Sequence, residues 1–305
     1  MKTNLVVDGE QQRIESLIEF MILVDYPVNL TIANLKMNDF INQLQSNLLC
    51  EHFEVKLADD KMDYHDFDGY MYLYDFPKET IEEKSEVTSF LSPYLDQFRK
   101  SLNQVIKEGF SGKIIVNGFH DEVFAYFATK FSGKENNKVV STGMLAKTLL
   151  LKHSLRRYFD ISLSDINVSV LGSESKNLIS WSRAYIGQSP ILSYLANPNN
   201  MFSTEIFARA EEIINKSDTP CDEVIQAKAI GVILDAFYMG NSCLASVGHV
   251  SQIDGKIAVT SEPIMLNQTG LVPTVELVLS DKEKQAFDDA KQYTNEIIDE
   301  ILESK

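Results

Sequence analysis

Residues 167–191 read NVSVLGSESKNLISWSRAYIGQSPI, and how this stretch is read decides the rest of the chain. Val168, Val170 and Leu171 form an apolar run that stops at Gly172, which predicts a buried strand. SESKN is polar and predicts a loop. From Leu178 onward, apolar residues mixed with serines and Arg183 predict an amphipathic helix carrying Trp181, the single tryptophan. In open α/β sheets, ligands collect where strands end. This loop nevertheless contains no histidine, cysteine or aspartate.

Upstream, short apolar runs alternate with helical patterns. NLVV (4–7), VNLTIANL (28–35), FEVKLA (53–58), GYMYLY (69–74) and KIIVNGF (113–119) predict strands. Ile14, Leu17, Ile18, Met21 and Ile22 recur at helical spacing, as do residues 90–106. EVFAYFATKFSG predicts a helix stopped by Gly133. Such alternation implies a parallel, doubly wound sheet. After residue 142 the grammar changes. Helices are predicted over 145–157, 205–215 and 223–238, and SVGHVSQIDGKIAVTSEPIML (246–266) predicts an antiparallel hairpin turning at Asp254-Gly255. Ser280 and Glu283 have capping-box spacing, followed by Phe287, Ala290, Thr294, Ile297 and Ile301 on one helical face. The expected organisation is an N-terminal α/β domain, 1–142, and a C-terminal α+β domain, 143–305.

Composition narrows the function classes. The chain has 305 residues, 44% of them hydrophobic, and a formal net charge of −16. An acidic surface repels nucleic acid and anionic lipid, so neither is an expected partner. Cys50, Cys221 and Cys243 are widely separated and lack paired spacing, so neither a disulfide framework nor a metal site is expected. His52, His65, His153 and His249 match no ligand motif. The start carries no targeting pattern, and no apolar run nears the ~20 residues of a membrane span. A cytoplasmic protein is the expectation.

Several motifs then converge. SVLGSESKNLISWSRAYIGQSPI is similar to VIGEHGDSxVPxWSxAxIGGxPL, and IMLNQTGLVPTVELVLSDKEKQAF to VxLGxNGVExVLELxLSDEExxxL. VVSTGMLAKTLLLKHSLRRYFDIS lies without gaps on VIGSGTxLDSARFRYLLAEKLGV, and DFDGYMYLYDFP on DADVVVITAGAP. In these motifs and in element order the chain resembles the L-lactate/malate dehydrogenase family, including the L-2-hydroxyisocaproate dehydrogenases. The likeness is specific at the C-terminal strands and weak in the first 60 residues. It implies a Rossmann-like N-terminal domain and a lactate/malate dehydrogenase-type C-terminal domain. It also implies NAD as cofactor, a histidine held by an aspartate as proton-transfer group, and two substrate arginines.

The resemblance assigns each of these positions in turn. The dinucleotide turn, which needs closely spaced glycines at a helix start, corresponds to VVDGEQQR, where Gly9 alone survives. Asp8 and Glu10 place negative charge there, and are expected to cap the helix and fill the anion site themselves. The ribose-binding acid falls near Asn34, and Gly143 matches the glycine of an S-G-T turn. The register puts Glu174 on the histidine and Lys147 on the aspartate, predicting a charge-exchanged ion pair, with two solvated charges as the alternative. Leu150 takes the substrate arginine position; Lys152, two residues on, reads as a solvated helix charge. No arginine stands between Arg13 and Arg99, so the lid arginine is missing. Lys84 is the nearest cation, in an acidic segment that reads as a solvated loop or helix start. T-N-P becomes GFH, with Phe119 on the asparagine and His120 on the proline; a one-residue slip would recruit Asn117. Thr219 falls beside the family's substrate pocket, and Trp181 reads as a packing residue.

The expectation is therefore a dehydrogenase fold that has lost NAD-dependent hydride transfer, a pseudoenzyme with an interaction, regulatory or ligand-binding role and no cofactor. The alternative is a divergent NAD-dependent L-2-hydroxyacid dehydrogenase using Glu174 or His120. A third reading is a binding protein whose cleft, with Leu150 and Phe119, takes a more apolar small molecule. By analogy with the family, a homo-oligomer (dimer or tetramer) is expected, with a protein partner or small-molecule ligand.

Overall fold

The computed structural model describes residues 2–33, 37–45, 49–59, 62–79, 81, 83–196, 204–215, 222–253, 256–274 and 277–304. In its first half, strands β1 (Thr3–Gly9), β2 (Val28–Ile32), β3 (Glu54–Leu57), β4 (Gly69–Leu73), β5 (Lys113–Asn117) and β6 (Val139–Ser141) are parallel and ordered β3-β2-β1-β4-β5-β6. Helices α1 (Gln11–Leu23), α2 (Asn38–Gln45), α3 (Lys84–Lys107) and α4 (Asp121–Ser132) connect them. The order reverses between β1 and β4, the crevice where doubly wound sheets bind ligands.

Strand alternation explains why both faces are covered. Leu5 and Val7 of β1, Met71 and Leu73 of β4 and Ile115 of β5 enter a core with Ile14, Leu17, Ile18 and Met21 of α1. Val6, Tyr70, Tyr72, Ile114 and Val116 point the other way, into a core with Leu91, Leu95 and Phe98 of α3 and Phe124 of α4. A period of two sends neighbouring side chains to opposite faces.

The second half contains α5 (Leu145–Phe159), β7 (Ile166–Asn167), β8 (Val170–Gly172), β9 (Asn177–Ile179), β10 (Tyr185–Ile186), β11 (Ser189–Pro190), α6 (Ile191–Leu195), α7 (Glu205–Asn215) and α8 (Asp222–Tyr238). It ends with β12 (Cys243–Ile253), β13 (Lys256–Asn267), β14 (Gly270–Val272) and α9 (Asp281–Glu303). The long β12–β13 ladder is antiparallel, with Cys243 opposite Leu266 and Ile253 opposite Lys256; its Asp254-Gly255 turn lies outside the described residues. Gly248 of β12 pairs with Ser141 of β6, which continues the parallel sheet into the antiparallel strands of the second half. Ser280 and Glu283 form the expected capping box. Among the described residues, no helix is long and apolar enough to cross a membrane.

The stretch 167–191 differs from its reading. The expected single strand is two, β7 and β8, in different sheets: Val170 N–H donates to Thr148 Oγ1, and Ser180 N–H to the Ser169 carbonyl. The expected helix at Trp181 is strand β9 followed by one 3-10 turn, Trp181–Arg183. Residues 177–179 pair antiparallel with β8 across a tight turn, closed by a Ser173 N–H to Lys176 O bond of 2.8 Å. Gly187, at φ +58°, turns β10 into β11 before a longer helix can form. Trp181 packs as expected, edge-on to Phe207 at 4.4 Å.

Candidate functional site

The site lies where β4, β5 and β6 end. Asn117, last residue of β5, is buried and bridges three elements. Its Oδ1 accepts from Arg13 Nη2 at 2.8 Å, and its Nδ2 donates to Thr142 Oγ1 at 2.7 Å and Gln226 Oε1 at 2.8 Å. Arg13 stands in the first turns of α1, over the Phe76 ring at 5.0 Å. Thr142 follows β6 and donates to Asp121 Oδ2 at 2.5 Å, while the Gly143 N–H donates to both Asp121 oxygens at 3.1 and 3.2 Å. Burial, with Glu122 as neighbour, pushes the Asp121 carboxyl up to about 8, so it is protonated at neutral pH.

His120 is the N-cap of α4, at φ +53°. Its ring is buried between two partners: Nδ1 is 2.7 Å from Glu122 Oε1, and Nε2 is 2.7 Å from Ser175 Oγ. Phe119 lies edge-on to the imidazole at 4.6 Å and to Phe90 at 5.5 Å. Lys147 of α5 and Glu174 of the 173–176 turn form the expected pair, Nζ to Oε1 at 2.7 Å, and both are partly buried. Leu150, one helical turn along α5, is partly buried.

Other expectations are corrected. Asp8 does not cap α1: its Oδ2 accepts from Ser101 of α3 and its Oδ1 from the Gly9 N–H at 2.8 Å. The side chain leaves the strand on the face covered by α3, away from the helix start. Glu10 is the N-cap of α1 but makes no side-chain capping bond. Gly9 serves the sheet, since at φ +126° a Cβ there would overlap the Leu73 carbonyl. Gly143 is equally constrained: at φ +51° a Cβ would meet Ser261 and the Gly248 backbone. Lys152 is not a solvated charge. It is partly buried, and that burial pushes its amine down. Lys84, by contrast, is a helix start as expected: it begins α3, and it pairs with Glu296 of α9 at 2.5 Å. Asn34 and Thr219 lie outside the described residues. Among the described residues, no three His, Cys, Asp or Glu side chains converge as a metal site.

Sequence reasoning missed Arg13, Thr142, Asp121, Glu122, Gln226 and Ser175. A cue existed for the acids: two carboxylates directly after a histidine, at the start of an otherwise apolar helix. Nothing in the spacing points to Arg13 or Gln226, which come from distant helices.

The comparisons with known proteins agree with this architecture. A sequence profile of the lactate/malate dehydrogenase alpha/beta C-terminal domain matches residues 148–305. The chain belongs to the lactate/malate dehydrogenase family. Among curated relatives, L-lactate dehydrogenase of Bacillus pumilus is 24% identical over 213 residues, 67% of each chain. L-lactate dehydrogenase 1 of Staphylococcus aureus is 23% identical over 227 residues, 70% of each. A lactate dehydrogenase from a Medee basin deep-sea metagenome superposes with a TM-score of 0.84 at 18% identity, covering 99% of this chain and 100% of that one. The Cryptosporidium parvum lactate dehydrogenase, solved with lactic acid and nicotinamide adenine dinucleotide, superposes with a TM-score of 0.81 at 14% identity, covering 99% and 98%.

Proposed function

We propose that this member of the family has given up hydride transfer between a nicotinamide and a hydroxy acid, and that it keeps the cleft as a binding site for a different small molecule. The observation that carries the reading is the Lys147–Glu174 ion pair, at 2.7 Å, on positions that the family register gives to the proton-transfer aspartate and histidine. An ion pair fixes two charges; it does not relay a proton near neutral pH as imidazole does. Leu150 has no group to grip a carboxylate, for which a guanidinium has no apolar substitute.

The residues present do not fit a dinucleotide. A pyrophosphate needs closely spaced glycines, free N–H groups and positive potential at a helix start, whereas the turn keeps Gly9 alone and carries the Glu10 carboxylate at the N-cap of α1. The Arg13 guanidinium, in the first turns of α1, is hydrogen-bonded to Asn117. No cofactor is part of the proposal. Self-association is part of it: Leu23, Val24 and Leu49 are exposed at the C-terminal end of α1 and the segment beside it, apolar surface that a second copy would cover.

NADH titration followed by fluorescence, with lactate, malate and branched 2-oxo acids as assay substrates, tests the reading. The expected result is neither binding nor turnover from a folded protein. Micromolar NADH binding with turnover would overturn it in favour of a divergent NAD-dependent L-2-hydroxyacid dehydrogenase. Sedimentation at increasing concentration tests the oligomer, and a monomer throughout would remove it.

A further inference from the structure

Next to Glu174, the 173–176 turn carries a second polar group, Ser175, which is partly exposed. We propose that Ser175, His120 and Glu122 form a nucleophile–base–acid relay, and that the small molecule the cleft takes is a carboxylic ester cleaved by acyl transfer to Ser175. The proposal rests on the reading above, that the cleft serves something other than hydride transfer.

The geometry carries it. Ser175 Oγ is 2.7 Å from His120 Nε2, and His120 Nδ1 is 2.7 Å from Glu122 Oε1. Nucleophile, base and orienting acid are thus in hydrogen-bond contact in the order that activates a hydroxyl. Glu122 is a buried acceptor, which selects the tautomer with the proton on Nδ1 and leaves Nε2 to accept from the serine. Glu122 Oε1 lies 2.7 Å from Nδ1, where a carboxylate orients the ring and faces a developing imidazolium. The edge of Phe119 fixes the plane of the ring. The nucleophile alone is accessible: Ser175 is partly exposed, whereas His120 and Glu122 are each 1% exposed.

A second group stands beside the nucleophile. Tyr293 of α9 is 9% exposed, and its buried hydroxyl faces Ser175. It lies beside Ser175, with its ring 6.0 Å from that of His120. Burial raises this phenol, which therefore keeps its proton. A phenolic donor thus stands beside the nucleophile, where an oxyanion formed on a carbonyl at Ser175 would accept from it.

The step balances with water as co-reactant. Ser175 Oγ bonds to the ester carbonyl carbon as its proton passes to His120 Nε2, and Tyr293 donates to the oxyanion. The C–O bond to the alcohol breaks, and the alcohol leaves with the proton from His120. Water, deprotonated by His120, then releases the carboxylic acid and restores the serine.

The test uses the full chain, a fluorophosphonate probe located by peptide mass spectrometry, and p-nitrophenyl acetate and butyrate as substrates. The expected result is one phosphonyl adduct on Ser175, with ester hydrolysis above buffer. Ser175→Ala should abolish both. His120→Asn, chosen because asparagine tolerates the left-handed backbone, should slow labelling at least a hundredfold. Tyr293→Phe should lower kcat at least tenfold with little change in KM, which lost packing alone would not produce. Circular dichroism and melting verify that each variant is folded. An unlabelled wild type, an adduct on another residue, or a His120→Asn variant labelled as fast as wild type would overturn the proposal. NADH turnover would sink the underlying reading, whereas absence of both NADH binding and labelling sinks only the relay.

Discussion

Replacing Asn117 by leucine should cost more than any other single change in the cleft floor. The side chain is 1% exposed and makes three hydrogen bonds, to Arg13, Thr142 and Gln226. Leucine has similar volume and leaves no large cavity, so the loss is polar. The Arg13 bond involves a charge and contributes roughly 1.5–3 kcal/mol. Gln226 Oε1 loses this donor, at about 1 kcal/mol or more. Thr142 keeps its bond to Asp121 and adds little. Arg13 keeps its place over Phe76, which offsets part of the cost. The sum is about 2–4 kcal/mol, which for a chain of this size lowers Tm by roughly 3–6 °C. Gln226→Met removes one neutral acceptor and should cost only about 1 kcal/mol. Urea unfolding followed by Trp181 fluorescence, with thermal melts in parallel, compares the two. If Asn117→Leu were no less stable than Gln226→Met, the network would not be what holds α1, β5 and α8 together.

Three further perturbations follow from the same structure. In the folded protein Asp121 keeps its proton to about pH 8, whereas its unfolded value is the ordinary 3.8. The folded state therefore binds the extra proton across that window, so the contribution is full below about pH 4 and declines as pH rises towards 8. Asp121→Asn should flatten this part of the slope, with Tm falling less between pH 5 and 8 than in wild type; equal slopes would contradict the assignment. Gly9→Ala forces a side chain onto the Leu73 carbonyl at a positive φ and should cost about 3 kcal/mol in urea unfolding; a neutral alanine would show that the turn can rearrange. Lys147→Met and Glu174→Gln should each cost about 1 kcal/mol, with a coupling no larger than that in a double-mutant cycle, because the pair is partly solvated. A coupling of several kcal/mol would mean the pair is buried in solution.

Local grammar made most of the fold legible. Alternation in NLVV and GYMYLY, the stop at Gly133 and the Ser280–Glu283 box are short-range signals, and each element formed where it was expected. The helix expected at Trp181 failed because Gly187 and Pro190 break the segment sooner than a mixed apolar pattern suggests, and β8 was available to pair with residues 177–179. The Lys147–Glu174 pair was legible because register alone brings the two residues together. Arg13 with Asn117, and His120 with Ser175, were not legible: these contacts join residues 104 and 55 positions apart. Asp8 was misassigned for a related reason. Its chemistry suits a helix start, but strand alternation turns it toward Ser101.

Glu283 has a reach beyond the helix it caps. The same carboxylate accepts from Ser280 N and Oγ at 3.0 and 2.7 Å, from Ser182 N at 2.9 Å and from Ser182 Oγ. The start of α9 is thereby tied to the single turn that bears Trp181, in a part of the chain about a hundred residues earlier. Fraying of α9 from its first turn would release that turn and unseat the indole from Phe207. The one tryptophan is thus a built-in emission reporter for the helix that carries Tyr293, and a ligand that steadies α9 would register as a change in its quantum yield without any added label.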